Sequence, residues 1–194
     1  RHRNNLKMGH LAGNRFRFRL RTAEAEGLQP WATRGLAALR ARGVPNYYGP
    51  QRFGRQGGNP RLGRLLLSGD LEAYTAAAAA AGLGPRQAAD RRLRKLFVNA
   101  LQAELFNRVL ALRMPAIGEL WEGDLAFLHR NGAVFAVPQA AVEQPRCADF
   151  EVSPSGPLYG PRLLLAQGRM GELEKTVLAE SGIRLEDFGR KEAQ

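Results

Sequence analysis

The sequence predicts an α+β protein, and three observations support that prediction. Residues 85–113 keep apolar side chains at spacings of three and four, which is the period of an amphipathic helix. Residues 14–21 alternate between apolar and basic side chains, which is the period of a strand. An Asn-Gly pair at residues 131–132 lies between two apolar runs and indicates a β-hairpin.

Basic side chains are concentrated in the first third of the 194 residues. The net charge is +11; residues 1–70 hold 14 Lys and Arg against 3 Asp and Glu, whereas residues 71–194 hold 15 of each kind. Such an asymmetry is typical of a segment that binds a polyanion. One cysteine and three unpaired histidines predict neither a disulfide nor a metal site. The sequence has no long apolar run, so we expect a cytoplasmic protein without a membrane span.

The alternating stretch at residues 14–21 predicts a strand with one apolar and one basic face. Side chains on one face recur about every 6.6 Å, which is close to the spacing of successive phosphates along a nucleic acid. This face therefore predicts contact with an RNA backbone, and the alternative is a solvated edge strand protected by its charges. The basic face consists of Arg15, Arg17, Arg19 and Arg21.

Three helices are predicted next along the chain. Residues 30–42 form the first, with Leu36 and Leu39 facing inward and Gly43 at its end. Capping side chains at residues 68–70 precede a second, alanine-rich helix that ends at Gly82. The third and longest begins at Pro85 and ends at Met114-Pro115.

Beyond residue 115 the pattern changes to strands. Residues 125–130 and 133–137 predict the two strands of the hairpin. Residues 156–161 predict a loop, and because it lacks the Lys and Ser/Thr of a P-loop it does not predict a phosphate cradle. Residues 171–181 predict a final helix ended by Gly182.

Residues 44–59, which we call the signature loop, read V-P-N-Y-Y-G-P-Q-R-F-G-R-Q-G-G-N. Glycine and proline shape such a loop, amides can hydrogen-bond base edges, aromatic rings can stack on bases, and arginines can hold phosphate. The composition therefore predicts a nucleotide site, and the alternative is a packed loop with its rings in the core. The side chains concerned are Asn46, Tyr47, Tyr48, Gln51, Arg52, Phe53, Arg55 and Asn59.

Within the signature loop, N-Y-Y-G-P-Q-R-F-G followed by G-G-N resembles the N-Y-F-G-x-Q-R-F-G signature of the TruD family of tRNA pseudouridine synthases. The opening R-H-R-N-N-L-K-M-G-H-L-A-G-N-R-F and the later segments L-F-N-R-V-L, G-D-L-A-F-L and S-G-P-L-Y-G also resemble family segments, in the family's order. The resemblance covers essentially all of the chain. It implies that residues 1–70 are part of a pseudouridine synthase catalytic core and that residues 71–194 belong to the family's inserted α/β domain.

The resemblance implies an isomerase that detaches uracil N1 from ribose and rejoins the base through C5, without a cofactor. The implied substrate is a uridine in the D stem of tRNA, at position thirteen. Asn46 and Tyr48 match the family positions that line the uridine pocket, and Gln51, Arg52 and Phe53 match the rest of the motif. Tyr48 stands where the family usually has Phe; the stacking face is the same, and the added hydroxyl needs a partner.

The family's catalytic Asp lies in a G-x-K-D-R-like segment upstream of the point where this chain begins. None of the aspartates present has that context; they are Asp70, Asp90, Asp124, Asp149 and Asp187. The chain also starts without Met and ends without an evident terminal element, which is typical of an internal piece of a longer protein. We therefore expect a monomeric piece of an enzyme that is inactive alone.

Two further functions stay open at this point. A non-catalytic RNA-binding module is favoured by the missing Asp, and a protein adaptor would use the basic segment to bind an acidic partner. Neither the histidines nor Cys147 predict catalysis. His2 and His10 lie among basic residues, His129 precedes a turn, and Cys147 lies in a loop-like stretch without a neighbouring base.

Overall fold

The computed structural model describes residues 13, 15–19, 21 and 27–190, and it confirms the α+β prediction. Among the helices of these residues, none combines the length and the apolar character that crossing a membrane requires. Short 3₁₀ segments lie at Arg55–Gly57, Met114–Ala116 and Leu185–Gly189. The helices and strands, in chain order, are α1 (Leu28–Arg42), α2 (Pro50–Phe53), α3 (Gly58–Ser68), α4 (Leu71–Ala80), α5 (Pro85–Ala89), α6 (Arg91–Arg113), β1 (Leu125–Leu128), β2 (Ala133–Ala136), α7 (Ala140–Ala148), β3 (Val152–Pro154) and α8 (Gly168–Glu180).

The chain separates into two compact units, Arg1–Gly43 and Val44–Gln194. In the first unit, α1 confirms the predicted helix, and the N–H of Gly43 closes it by bonding to the carbonyl of Leu39 at 2.9 Å. The predicted inward face is wrong, because Leu36 is 58% exposed and Leu39 is 49% exposed. An apolar spacing marks the face that a helix offers for packing, and it does not supply the partner that covers that face.

The strand predicted at residues 14–21 is wrong for the part that the structure describes. Residues 15–19 form no strand, no described residue pairs with them, and Phe16 and Phe18 are exposed. A period of two produces a stable strand only where a neighbouring strand supplies hydrogen bonds and cover. The side chains of Arg15, Arg17, Arg19 and Arg21 are exposed. Asn14, Leu20 and residues 1–12, with His2 and His10, lie outside the described residues.

The second unit is built on the packing of α3 against α6. Gly63 lies at the crossing, where a Cβ would clash with the carbonyl of Phe97, so the two backbones approach closely. Leu66 and Leu101 are fully buried in the core that surrounds this crossing. The helix α3 was not predicted. Its packing against α6 joins residues on both sides of residue 70 in one unit. The division between compact units therefore falls after Gly43. The family's own domain boundary stays a prediction.

Aspartates fix the starts of two helices in this unit. Asp70 caps α4 by accepting a hydrogen bond from Ala73 N at 2.9 Å, as the sequence predicted. The single helix predicted from Pro85 is two helices, because Asp90 leaves the helical conformation and caps α6 through Leu93 N at 2.9 Å. Asp90 is therefore an N-cap and not a residue on a helix surface.

A small sheet of order β2-β1-β3 follows α6. The predicted hairpin is confirmed, with Leu128 paired to Ala133 and Gly132 at φ 76° in the turn. The strand β3 and the helix α7 were not predicted. Cys147 lies in α7 rather than in a loop, its Sγ is 3.6 Å from the carbonyl of Gly118, and burial raises the pKa of its thiol.

The predicted final helix is confirmed as α8, and it carries the buried carboxyl of Glu174. Burial raises the pKa of Glu174 from 4.5 to about 7; the hydrogen bond from Ala166 N opposes this shift, and the charge of Asp124 adds to it. Because the folded-state pKa is the higher one, the neutral form stabilises the fold below pH 4.5. That contribution is lost as the pH rises through about 7.

We therefore expect the free energy of unfolding to fall by roughly 3 kcal/mol between pH 4.5 and pH 8 through Glu174. The variant Glu174→Gln is neutral at every pH and lacks this component. Urea unfolding of both proteins at several pH values measures it as the difference between the two curves, which cancels the contributions of other groups. Parallel curves would contradict the assignment to Glu174.

Candidate RNA-modification site

The signature loop forms a succession of tight turns. A single helical turn, α2, follows Gly49, and Gly54 then adopts φ 76°. A Cβ at Gly54 would lie 2.5 Å from Oδ1 of Asn59, so any other residue would have to adopt an unfavourable positive φ and displace the Asn59 side chain. Asn59 in turn donates from Nδ2 to the carbonyl of Arg52 at 3.4 Å, which ties the end of the loop to α2.

The long helix α6 holds the loop at Tyr48. The backbone N–H of Tyr48 donates to Oδ1 of Asn107 at 2.9 Å, and Nδ2 of Asn107 donates to the carbonyl of Tyr48 at 2.9 Å. One amide side chain thus satisfies both backbone groups of one residue in the way that a neighbouring strand would. The two residues are 59 positions apart in sequence, so the bond fixes the loop relative to the core of the unit.

The ring of Tyr48 contacts one aromatic and one cationic side chain. Its centroid is 5.5 Å from that of Phe106, with the two ring planes 81° apart, which is a favourable edge-to-face geometry. The guanidinium carbon of Arg52 lies 5.2 Å from the same ring centroid. Gly156 packs against Phe106 from the loop at residues 156–161, and a Cβ at Gly156 would lie 2.8 Å from the Phe106 ring.

The structure brings some of the predicted site residues together. Tyr48 and Arg52 are in contact, and Phe53 is half-buried in α2. The side chains of Asn46, Gln51 and Arg55 are exposed. Sequence reasoning did not identify Phe106 and Asn107 as site residues, although the segment L-F-N-R-V-L that contains them was one of the matches to the family.

Most of the aspartates have structural partners. Asp70 and Asp90 cap helices, and Asp124 forms a buried ion pair with Arg113 at 2.6 Å. The pKa of the Asp187 carboxyl lies below its usual range, chiefly because the carboxyl accepts a hydrogen bond from Arg184 N and also because two guanidinium groups lie beside it. Asp149 is exposed at the end of α7. In the described part of the chain, no three His, Cys, Asp or Glu side chains cluster as metal ligands would.

The second unit is helical with a small sheet, and its signature loop is fixed to its longest helix. The family model for tRNA pseudouridine synthase D (TruD) matches residues 1–82 and 83–194. The chain therefore belongs to the TruD family.

Curated relatives agree with this assignment. The chain is 36% identical over 236 residues to the tRNA pseudouridine synthase D of Geobacter metallireducens, with 97% of this chain and 58% of that protein covered. It is 41% identical over 192 residues to the protein of the same name from an Anaeromyxobacter species, with 98% and 51% covered. The chain thus spans about half the length of the curated relatives it matches.

The fold has a counterpart among solved structures. A structure assigned to tRNA pseudouridine synthase D (TruD) of Methanosarcina mazei matches with a TM-score of 0.67 and 21% sequence identity. The match covers 84% of this chain and 53% of that one. At 21% identity, this likeness establishes that the two chains share a fold and nothing beyond the fold.

Proposed function

We propose that this chain is the signature-loop-bearing part of a tRNA pseudouridine synthase, which isomerises a D-stem uridine of tRNA, at position thirteen, to pseudouridine. Family membership supports the reaction class. The observation that carries the proposal is that three segments far apart in sequence meet at the ring of Phe106. N-Y-Y-G-P-Q-R-F-G supplies Tyr48, L-F-N-R-V-L supplies Phe106 and Asn107, and S-G-P-L-Y-G supplies Gly156, which packs on Phe106.

In this proposal the signature loop binds the target nucleotide. Tyr48 stacks on the uracil, which has to leave the RNA helix to be reached, and the exposed amides of Asn46 and Gln51 hydrogen-bond its edges. Arg52 and Phe53 complete the pocket. Exposed arginines neutralise the phosphates of the RNA backbone; they are Arg15, Arg17, Arg19, Arg21 and Arg55. The protein acts as a monomer in the cytoplasm and needs neither a metal nor a redox cofactor.

The reactive carboxylate comes from a catalytic-core segment outside the 194 residues, in a longer polypeptide. Two observations support this. None of the five aspartates lies in a G-x-K-D-R-like context, and four of them have partners in caps or ion pairs. Within that arrangement residues 1–70 contribute to the catalytic core and residues 71–194 form the inserted domain, with tRNA bound by both.

The test is a tRNA pseudouridylation assay on this chain and on the longer polypeptide that includes the upstream Lys-Asp-Arg segment. We expect pseudouridine at position thirteen only with the longer polypeptide. Activity of neither, with RNA binding by both that weakens steeply as salt is raised, would favour the second candidate, a non-catalytic RNA-binding module. The lack of an aspartate in the family's catalytic context is the observation that favours that candidate.

A further inference from the structure

Asn107 makes contacts that ordinary packing does not explain. Its amide occupies both hydrogen-bonding groups of the Tyr48 backbone, at 2.9 Å each, while the adjacent Phe106 meets the Tyr48 ring edge-to-face. Consecutive residues of α6 therefore fix the backbone and the ring of the same loop residue. Asn107 is itself half-buried, which reduces the competition from water for these two bonds.

We propose that Asn107 is a positioning residue for the reaction: it holds the backbone of Tyr48 so that the ring presents a fixed face to the target uracil. This inference rests on the proposed function. Asn107 does not touch the substrate and acts only through Tyr48. Helix α6 runs through the core of the unit, so it is a rigid support for a loop that otherwise consists of turns.

The geometry explains why an asparagine is suited to this position. Only a side chain with a donor and an acceptor on one planar group can pair with an N–H and a carbonyl of the same residue. Aspartate retains the acceptor for the N–H of Tyr48 and places a negative oxygen against its carbonyl, and alanine removes both bonds. The two variants therefore distinguish loss of one bond from loss of both.

The experiment uses the complete enzyme, in single-turnover and tRNA-binding assays, with the variants Asn107→Ala and Asn107→Asp. A loop residue displaced by about 1 Å costs up to about 100-fold in rate, so we expect the rate to fall between about 10- and 100-fold with Asn107→Ala. The affinity for tRNA should stay within about twofold, because phosphate contacts dominate it. The single-turnover rate of Asn107→Asp should also be low. Because Asp is isosteric with Asn, this variant tests the positioning role if Asn107→Ala does not fold.

The decisive comparison is with Tyr48→Ala, alone and combined with Asn107→Ala. If Asn107 acts through Tyr48, adding Asn107→Ala to Tyr48→Ala causes no further loss of rate. Asn99→Ala is the matched control, since Asn99 is a half-buried asparagine two turns earlier on α6, and it should retain the wild-type rate.

The remaining outcomes separate the inference from the proposed function. Multiplying effects in the double variant, or equal losses of rate and tRNA affinity in Asn107→Ala, would overturn the positioning role. A wild-type rate in Asn107→Asp would do the same. A wild-type enzyme that forms no pseudouridine in tRNA would instead overturn the proposed function.

Discussion

Tyr48→Ala in the complete enzyme is expected to abolish most turnover while leaving most of the affinity for tRNA. A base stacked on an aromatic ring gains about 1–3 kcal/mol, and if that gain holds the flipped uracil in place, its loss slows the reaction roughly 5- to 150-fold. Binding changes little, because many phosphate contacts elsewhere determine it. Single-turnover rates and equilibrium binding of tRNA measure the two quantities separately.

Tyr48→Phe is the control for this prediction. It keeps the stacking face and the edge-to-face contact with Phe106, and it restores the residue that the TruD family usually has at this position. We expect it to retain turnover. Equal losses of turnover and tRNA affinity in Tyr48→Ala would contradict a stacking role and would indicate that the residue only shapes the loop.

Local chemistry made several elements predictable from the sequence. The Asn-Gly turn requires positive φ, which Gly132 adopts, and the hairpin follows from it. Asp70 and Gly82 bound α4 because a carboxylate satisfies the free N–H groups of a first turn and a glycine accepts a left-handed conformation. These signals act over three or four residues, so they need no knowledge of the rest of the fold.

The helices that were not predicted depend on long-range packing, and their sequences contain residues that locally favour a loop or a helix end. The helix α3 begins at Gly58, inside the glycine-rich motif, where the composition favours a loop; burial of Leu62 and Leu66 against α6 outweighs that preference. Pro145 lies within α7 and reads as a helix breaker in the sequence. Both helices form because tertiary contacts compensate for weak local propensity.

The candidate site was predictable from the sequence only where its residues lie within a single segment, the signature loop. The signature loop identified Tyr48 and Arg52, which the structure brings into contact. The support for Tyr48 was not predictable, because Asn107 and Gly156 lie 59 and 108 residues further along the chain, and only the fold brings them to the loop. Asn107 looks like an ordinary polar residue on an amphipathic helix until its partner is known.

The buried ion pair of Arg113 and Asp124 is the second place where a large effect is expected. The two side chains are 3% and 2% exposed, and two hydrogen bonds of 2.6 and 3.2 Å join the guanidinium to the carboxylate. Asp124 also accepts from Trp121 N at 2.7 Å, and the Arg113 guanidinium lies 3.4 Å from the Trp121 ring centroid. The pair thereby links the end of α6 to the start of the sheet.

Asp124→Ala should lower the free energy of unfolding by about 3–5 kcal/mol, because it leaves the Arg113 charge buried without a partner. Replacing both residues, as in Arg113→Met with Asp124→Leu, removes the unpaired charge and should recover part of that loss. Urea unfolding of the chain measures both. Glu172→Ala is the matched control, since it breaks the exposed pair of Glu172 and Lys175 and should cost less than about 1 kcal/mol. Equal small losses in Asp124→Ala and Glu172→Ala would mean that water reaches Arg113 once the carboxylate is gone, and that the link between helix and sheet depends on apolar packing instead.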